Sequence, residues 1–152
     1  MSDTFKQIVV ADFEYEIEDG GLPNILCMAA YVLDEKLQHI RTVRLWRGEF
    51  GSAPPFDTGP DTLFVAYAAW AELTCFMQLG WKFPTHVFDL HTAYLAASNV
   101  LRPHDYDEKR KKEKKDLVHA CRAYGLEGWE NINKKAIQED IGAGNWQKYG
   151  RD

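Results

Sequence analysis

The chain has 152 residues, 45% of them hydrophobic and 13% aromatic, and a formal net charge of −5. That length suits a single domain of common size, and the composition excludes a disordered polymer. No apolar run approaches the ~20 residues a membrane-spanning helix needs, so no membrane partner is expected.

Cys27, Cys75 and Cys121 are far apart and form no CxxC pair, which leaves little room for a zinc or dithiol centre. Their apolar surroundings point to buried free thiols. An odd cysteine count without a signal peptide leads to the expectation of a reducing, cytoplasmic location. The acidic balance does not suggest an ordinary nucleic-acid groove, but the charge is uneven. From Arg102 to Arg122 there are eight Lys or Arg against five Asp or Glu, a net of +3 that leaves −8 for the rest, while six carboxylates fall in the first twenty residues. An acidic site with a separate basic patch suits an enzyme that approaches a polyanion through cations. It equally suits an ordinary soluble protein.

Taken in chain order, Gln7 to Tyr15 reads as a strand with Ile8, Val10, Asp12 and Glu14 on one face and Val9, Ala11, Phe13 and Tyr15 on the other. Both faces begin apolar, which predicts a central strand covered on both sides. Asp19-Gly20-Gly21-Leu22-Pro23-Asn24 is a turn cluster. Ile25 to Leu33 is a second strand, Asp34-Glu35-Lys36 a turn, and His39 to Trp46 a third strand, so the opening reads as an antiparallel meander. After a Gly- and Pro-rich loop from Gly48 to Pro60, Leu63 to Ala66 is a short buried strand. A helix follows from about Ala68 to Leu79, its apolar stripe made by Ala69, Leu73, Phe76 and Met77 and its end marked by Gly80. His86 to Leu90 is another strand, and Thr92 to Asn99 begins a helix. Arg102 to Lys115 is a charged connector, Asp116 to Tyr124 a helix stopped by Gly125, and Lys134 to Ile141 a last short helix. The order βββ, β-α-β, then helices predicts an α/β fold: a mixed sheet with helices packed on it.

Asp12 and Glu14 are two apart on the first strand, so their side chains point the same way. Two like charges held close in a buried setting repel strongly, and an unpartnered buried charge is costly. The nearest cationic residue in the sequence is Lys6. Divalent magnesium or manganese, which favour hard oxygen ligands, would resolve that conflict. The alternative is that the strand ends at Ala11 and both acids are solvated at its tip. Glu72 sits on the helix between Ala69 and Phe76 at the border of the stripe, from where its carboxylate would lean towards the sheet or snorkel to solvent. Asp89 closes Val87-Phe88-Asp89 and reads most simply as a helix N-cap. His91 and His119 have no ligand-like spacing partner and read as exposed or half-buried.

In this order the residues resemble the proofreading 3′→5′ exonuclease domain of phage-type family A DNA polymerases, a DEDD branch with an RNase H-like fold. Asp12-Phe13-Glu14 matches the family's Asp-x-Glu on the first strand. The second region resembles Phe64-Val65-Ala66-Tyr67-Ala68-Ala69-Trp70-Ala71-Glu72-Leu73, continuing through Leu79-Gly80-Trp81-Lys82-Phe83-Pro84 to Phe88-Asp89-Leu90. Lys115 to Tyr124 with Gly125-Leu126 resembles the helix that follows, so the likeness covers most of the chain. Two departures stand out. The helix acid is Glu72 where the wider family has Asp. The third motif, Tyr-x-x-x-Asp or His-x-x-x-Asp, is not found after the second region, where the nearest approach is Tyr149-Gly150-Arg151-Asp152. The expectation is a single exonuclease-like domain over 1–152 whose C-terminal part, with the third motif, is missing.

The resemblance implies a two-metal reaction on DNA 3′ ends, with Mg2+ or Mn2+ ions about 3.5–4 Å apart at the scissile phosphate. By the resemblance Asp12 would bridge the metals, Glu14 would hold the first and orient water, and Glu72 would help hold the second. Single-stranded DNA would bind through phosphate contacts and stacking, with Phe13, Tyr67 and Trp70 as the stacking candidates and core packing as their other fate. The run Lys109 to Lys115 could approach the backbone or be a solvated connector. Two functions stay open: an active metal-dependent exonuclease, or a catalytically incomplete polymerase fragment of the same fold that binds nucleic acid or protein. A homodimer covering a bare sheet edge is compatible with the sequence but not demanded by it.

Overall fold

A computed structural model of the chain describes residues 5–17, 20–100, 116–126 and 134–145. Strands β1 (Gln7–Glu16), β2 (Asn24–Asp34), β3 (His39–Trp46), β4 (Thr62–Ala66) and β5 (His86–Asp89) form one sheet in the order β3-β2-β1-β4-β5. The first three pair antiparallel, and β1, β4 and β5 run parallel. Helix α1 (Ala69–Leu79) connects β4 to β5; α2 (Leu90–Val100), α3 (Leu117–Ala123) and α4 (Lys134–Gly142) follow. This is a mixed sheet with flanking helices, the architecture the strand and helix periods predicted, in the RNase H-like arrangement that the family resemblance implied.

The main core lies on one face of the sheet. Val9, Ala11 and Phe13 of β1, Met28, Ala30 and Val32 of β2, and Phe64 and Ala66 of β4 pack there against Ala69, Cys75 and Phe76 of α1. Alternation along each strand supplies this face, and the loop before β4 closes it with Phe56. Gly80, at φ 66, ends α1 in the left-handed conformation, and the next N–H, that of Trp81, is accepted by the Phe76 carbonyl. Burial within α1 falls on Ala69, Glu72, Cys75 and Phe76. Met77, expected in the stripe, is 57% exposed, so the helix is rotated such that Glu72 sits within the buried face and not at its edge.

The second face is only partly covered. A bulge between Glu14 and Tyr15 inserts Leu26 opposite β1, so Leu26 and Cys27 both turn towards a smaller cluster with Trp46, Ile137 and Ile141. Further along, Asp12 and its register partner Ala29 are exposed. The expectation of a strand end buried on both faces therefore fails at Asp12: no described helix covers it, and its carboxylate meets solvent. The Lys109–Lys115 run and the Tyr149–Asp152 segment lie outside the described residues.

Candidate active site at the acidic end of strand β1

The site begins with unequal strand pairing. β1 pairs with β4 only from Gln7 to Val10, but with β2 it continues to Glu16. Past Val10 the backbone of β1 has no β4 partner, and an N–H that points to that side needs another acceptor. Glu72 supplies one: its Oε2 accepts the N–H of Phe13 at 2.9 Å. The Glu72 residue is only 3% exposed, so of the two orientations its helix position left open the carboxylate takes the one inwards to the strand.

The start of α1 is held from another strand. Ala68 adopts a left-handed conformation (φ 63, ψ 57), which costs an alanine about 1–2 kcal/mol. Immediately after it, the Ala69 N–H donates to Asp89 Oδ2 at 3.1 Å. The other oxygen of Asp89 accepts the N–H groups of His91 (2.8 Å) and Thr92 (3.1 Å). Asp89 is thus the N-cap of α2, as its position at a strand end suggested, and it also ties down the first turn of α1.

Asp12 and Glu14 project from the second face of β1, Asp12 exposed and Glu14 half-buried. Their charges reach the nearby thiols. Burial first, then Glu14 and Asp12, push the Cys27 thiol up to about 11. Burial first, then Glu72 and Asp12, push Cys75 up to about 12. Among the described residues no group of three His, Cys, Asp or Glu side chains is gathered as a ready metal cage. The structure brings Asp12 and Glu14 together as a pair, with Glu72 directed to the backbone between them. A pair of hard oxygen donors fits magnesium or manganese, which commonly bind through one or two carboxylates and fill the remaining positions with water and phosphate oxygens.

The aromatic candidates divide. Phe13 is 3% exposed, and its ring packs against Phe50, Phe76 and Trp81 at centroid distances of 6.4, 6.0 and 6.1 Å. It is a core residue and offers no stacking surface; alternation on the strand, which places it opposite Asp12 and Glu14, requires this. Tyr67 is half-buried beside His91, with ring centroids 5.2 Å apart. Trp70, on the first turn of α1, is 66% exposed.

The sequence reading missed Gln138. Its Nε2 donates to Glu14 Oε2 across 124 positions of sequence; a glutamine on a short polar helix carries no sequence signal for such a contact. The spacing of the third motif does occur once, from Tyr15 to Asp19, but on the first strand and ahead of the second region, and Asp19 lies outside the described residues.

Solved structures share this sheet and its helices. Escherichia coli exonuclease I in complex with a 5cy-dA13 oligonucleotide matches 81% of this chain and 37% of its own, at 14% identity and a TM-score of 0.50. The zinc-ion-bound form of the E. coli exonuclease I–ssDNA complex matches 97% and 42%, at 15% identity and 0.54. A product-bound exonuclease I matches 94% and 44%, at 14% identity and 0.54.

The fold is shared with exonuclease I.

At these identities the likeness is one of fold, and the chain spans about two fifths of the exonuclease I chains it matches (37%, 42% and 44%). No family model matches the sequence, and no curated protein matches it.

Proposed function

We propose that this domain is a divalent-metal-dependent 3′→5′ exonuclease acting on the 3′ ends of single-stranded DNA, of the proofreading type its sequence resembles in phage-type family A polymerases. The observation that carries the reading is the Glu72–Phe13 bond. It brings the acid of the second region against the Asp-x-Glu strand, within a fold that exonuclease I also has. The exonuclease I structures bound to an oligonucleotide and to ssDNA support the substrate class.

In this reading Asp12 and Glu14 would hold Mg2+ or Mn2+ through hard oxygens, with Glu72 acting from the flank of the strand through its bond to the Phe13 N–H. A cation held there would supply an activated water and stabilise the leaving 3′ oxygen. The chain's own residues do the rest. Asp12 and Glu14 place negative charge where the cation must sit. Glu72 fixes the backbone that carries both. Trp70 offers an exposed ring for a terminal base, with half-buried Tyr67 as the second candidate, an interaction worth about 1–3 kcal/mol per base.

The test is release of mononucleotides from 3′-labelled single-stranded DNA in manganese, with Asp12→Ala alongside. Release by the wild type and none by the variant is the expected outcome; no release, or equal release, sinks the reading. The lack of a third acid gathered with Asp12 and Glu14 among the described residues favours a second reading. In that reading the domain is a catalytically incomplete binding module, and the same experiment would find the oligonucleotide bound but intact.

A further inference from the structure

Helix α4 meets the acidic strand in register. Ile137 and Ile141, one turn apart, pack with Leu26, Cys27 and Trp46. The next residue after each is turned towards β1: Gln138 donates to Glu14 Oε2, and a Cβ on Gly142 would come within 2.7 Å of Glu16 Oε1. Glu14 and Glu16 are two apart on the strand, a span of about 6.6 Å. Gln138 and Gly142 are four apart on the helix, a rise of about 6 Å. The two repeats match, so one helical turn and two strand residues face each other contact for contact.

We propose that Gln138 is a positioning residue for Glu14, carried into place by α4, and that it sets the affinity of the Asp12–Glu14 pair for a divalent cation. This rests on the reading of that pair as the cation site. A glutamate at a partly solvated strand end beside another acid tends to swing away from it, because like charges repel. An amide donor on Oε2 holds the carboxylate in one rotamer and leaves its charge intact. Lysine or arginine in the same place would supply a positive charge of its own and compete with the metal. Hydrogen-bond partners of this kind, one step behind the ligand, typically change metal affinity about 10–100-fold when removed.

The experiment is calorimetric titration of the 152-residue chain with Mn2+, with metal-free melting curves and steady-state kinetics on a single-stranded oligonucleotide. Gln138→Met keeps the length and the apolar stem but loses the donor; Gln138→Lys adds a competing charge; Lys135→Ala, on the same helix, is the control. Gln138→Met is expected to weaken Mn2+ binding at least about tenfold with an unchanged metal-free melting temperature, and to raise the Mn2+ needed for half-maximal turnover without changing KM for the oligonucleotide. Gln138→Lys should bind more weakly still, and Lys135→Ala like the wild type. Wild-type affinity in Gln138→Met overturns the proposal and leaves the cation reading of Asp12 and Glu14 standing. A matching loss of metal-free stability makes Gln138 a docking residue only, which also overturns it. If the wild type binds no Mn2+, or Asp12→Ala binds it equally well, the cation reading itself fails and takes this proposal with it.

Discussion

Glu72 Oε2 accepts the backbone N–H of Phe13 at 2.9 Å, joining α1 to β1 across 59 positions of sequence. The acceptor and the charge of that carboxylate can be separated. Glu72→Ala leaves a buried N–H without its acceptor and should cost about 1–3 kcal/mol of stability. Glu72→Gln keeps an acceptor oxygen and should lose clearly less. Urea denaturation in metal-free buffer measures both. A Glu72→Gln protein as destabilised as Glu72→Ala would mean that the charge, and not the hydrogen bond, holds the strand.

Asp89 fastens the starts of two helices with one carboxylate. Loss of a helix N-cap costs about 1–2 kcal/mol, and the tie to Ala69 adds about 1 kcal/mol, so Asp89→Ala should lose about 2–3 kcal/mol. Asp89→Asn retains one acceptor and should lose roughly half of that. If Asp89→Ala melts like the wild type, the double cap contributes nothing.

Trp70 and Phe13 should respond in opposite ways. Truncating an exposed side chain usually changes stability by less than about 0.5 kcal/mol, so Trp70→Ala should fold normally yet bind a single-stranded oligonucleotide more weakly, by about 1–3 kcal/mol. Phe13→Ala opens a hole in the core and should cost about 3–5 kcal/mol of stability. Fluorescence anisotropy with a labelled oligonucleotide, beside thermal melts, reads both effects. Unchanged binding by Trp70→Ala removes it from the substrate surface.

The thiols set an upper pH limit on stability. Cys27 is pushed up to about 11 and Cys75 to about 12, each chiefly by burial. In the unfolded chain both ionise at ordinary thiol values near 9. A folded value above the unfolded one means that the unfolded state loses its protons first. This stability is therefore complete below about pH 8.5 and falls as pH rises from there towards 11–12. Alkylation at pH 8 should be slow in the native protein and fast in denaturant. Replacing Cys75 with Ala should flatten the alkaline fall, and an unchanged profile would assign that fall to other groups.

The strands were legible because their alternation is strict: Val9, Ala11 and Phe13 face the core and Asp12 and Glu14 face away, as spacing alone requires. Gly80 and Asp89 were legible because backbone chemistry singles out those residue types at helix ends. The rotation of α1 was not. Cys75 and Met77 are both apolar enough for the stripe, and the packing partners Phe64 and Trp81 decide between them. The exposure of Asp12 depends on what lies over the second face, and the sequence of β1 says nothing of that. The second bond of Asp89, to Ala69, and the contact of Gln138 with Glu14 arise from tertiary juxtaposition, for which no local period exists.

The parallel pairing of β1 with β4 also sets an order of assembly. The β1–β2–β3 meander closes through short local turns, whereas matching Gln7 to Thr62 closes a long loop and carries the larger entropic barrier. On a ribosome the meander can form first, with Asp12 and Glu14 already side by side at its rim. Glu72 reaches Phe13 only after β4 and α1 have emerged, and Gln138 arrives later still. The acidic end of β1 therefore gains its contacts with Glu72 and Gln138 only once the segments that carry them are in place.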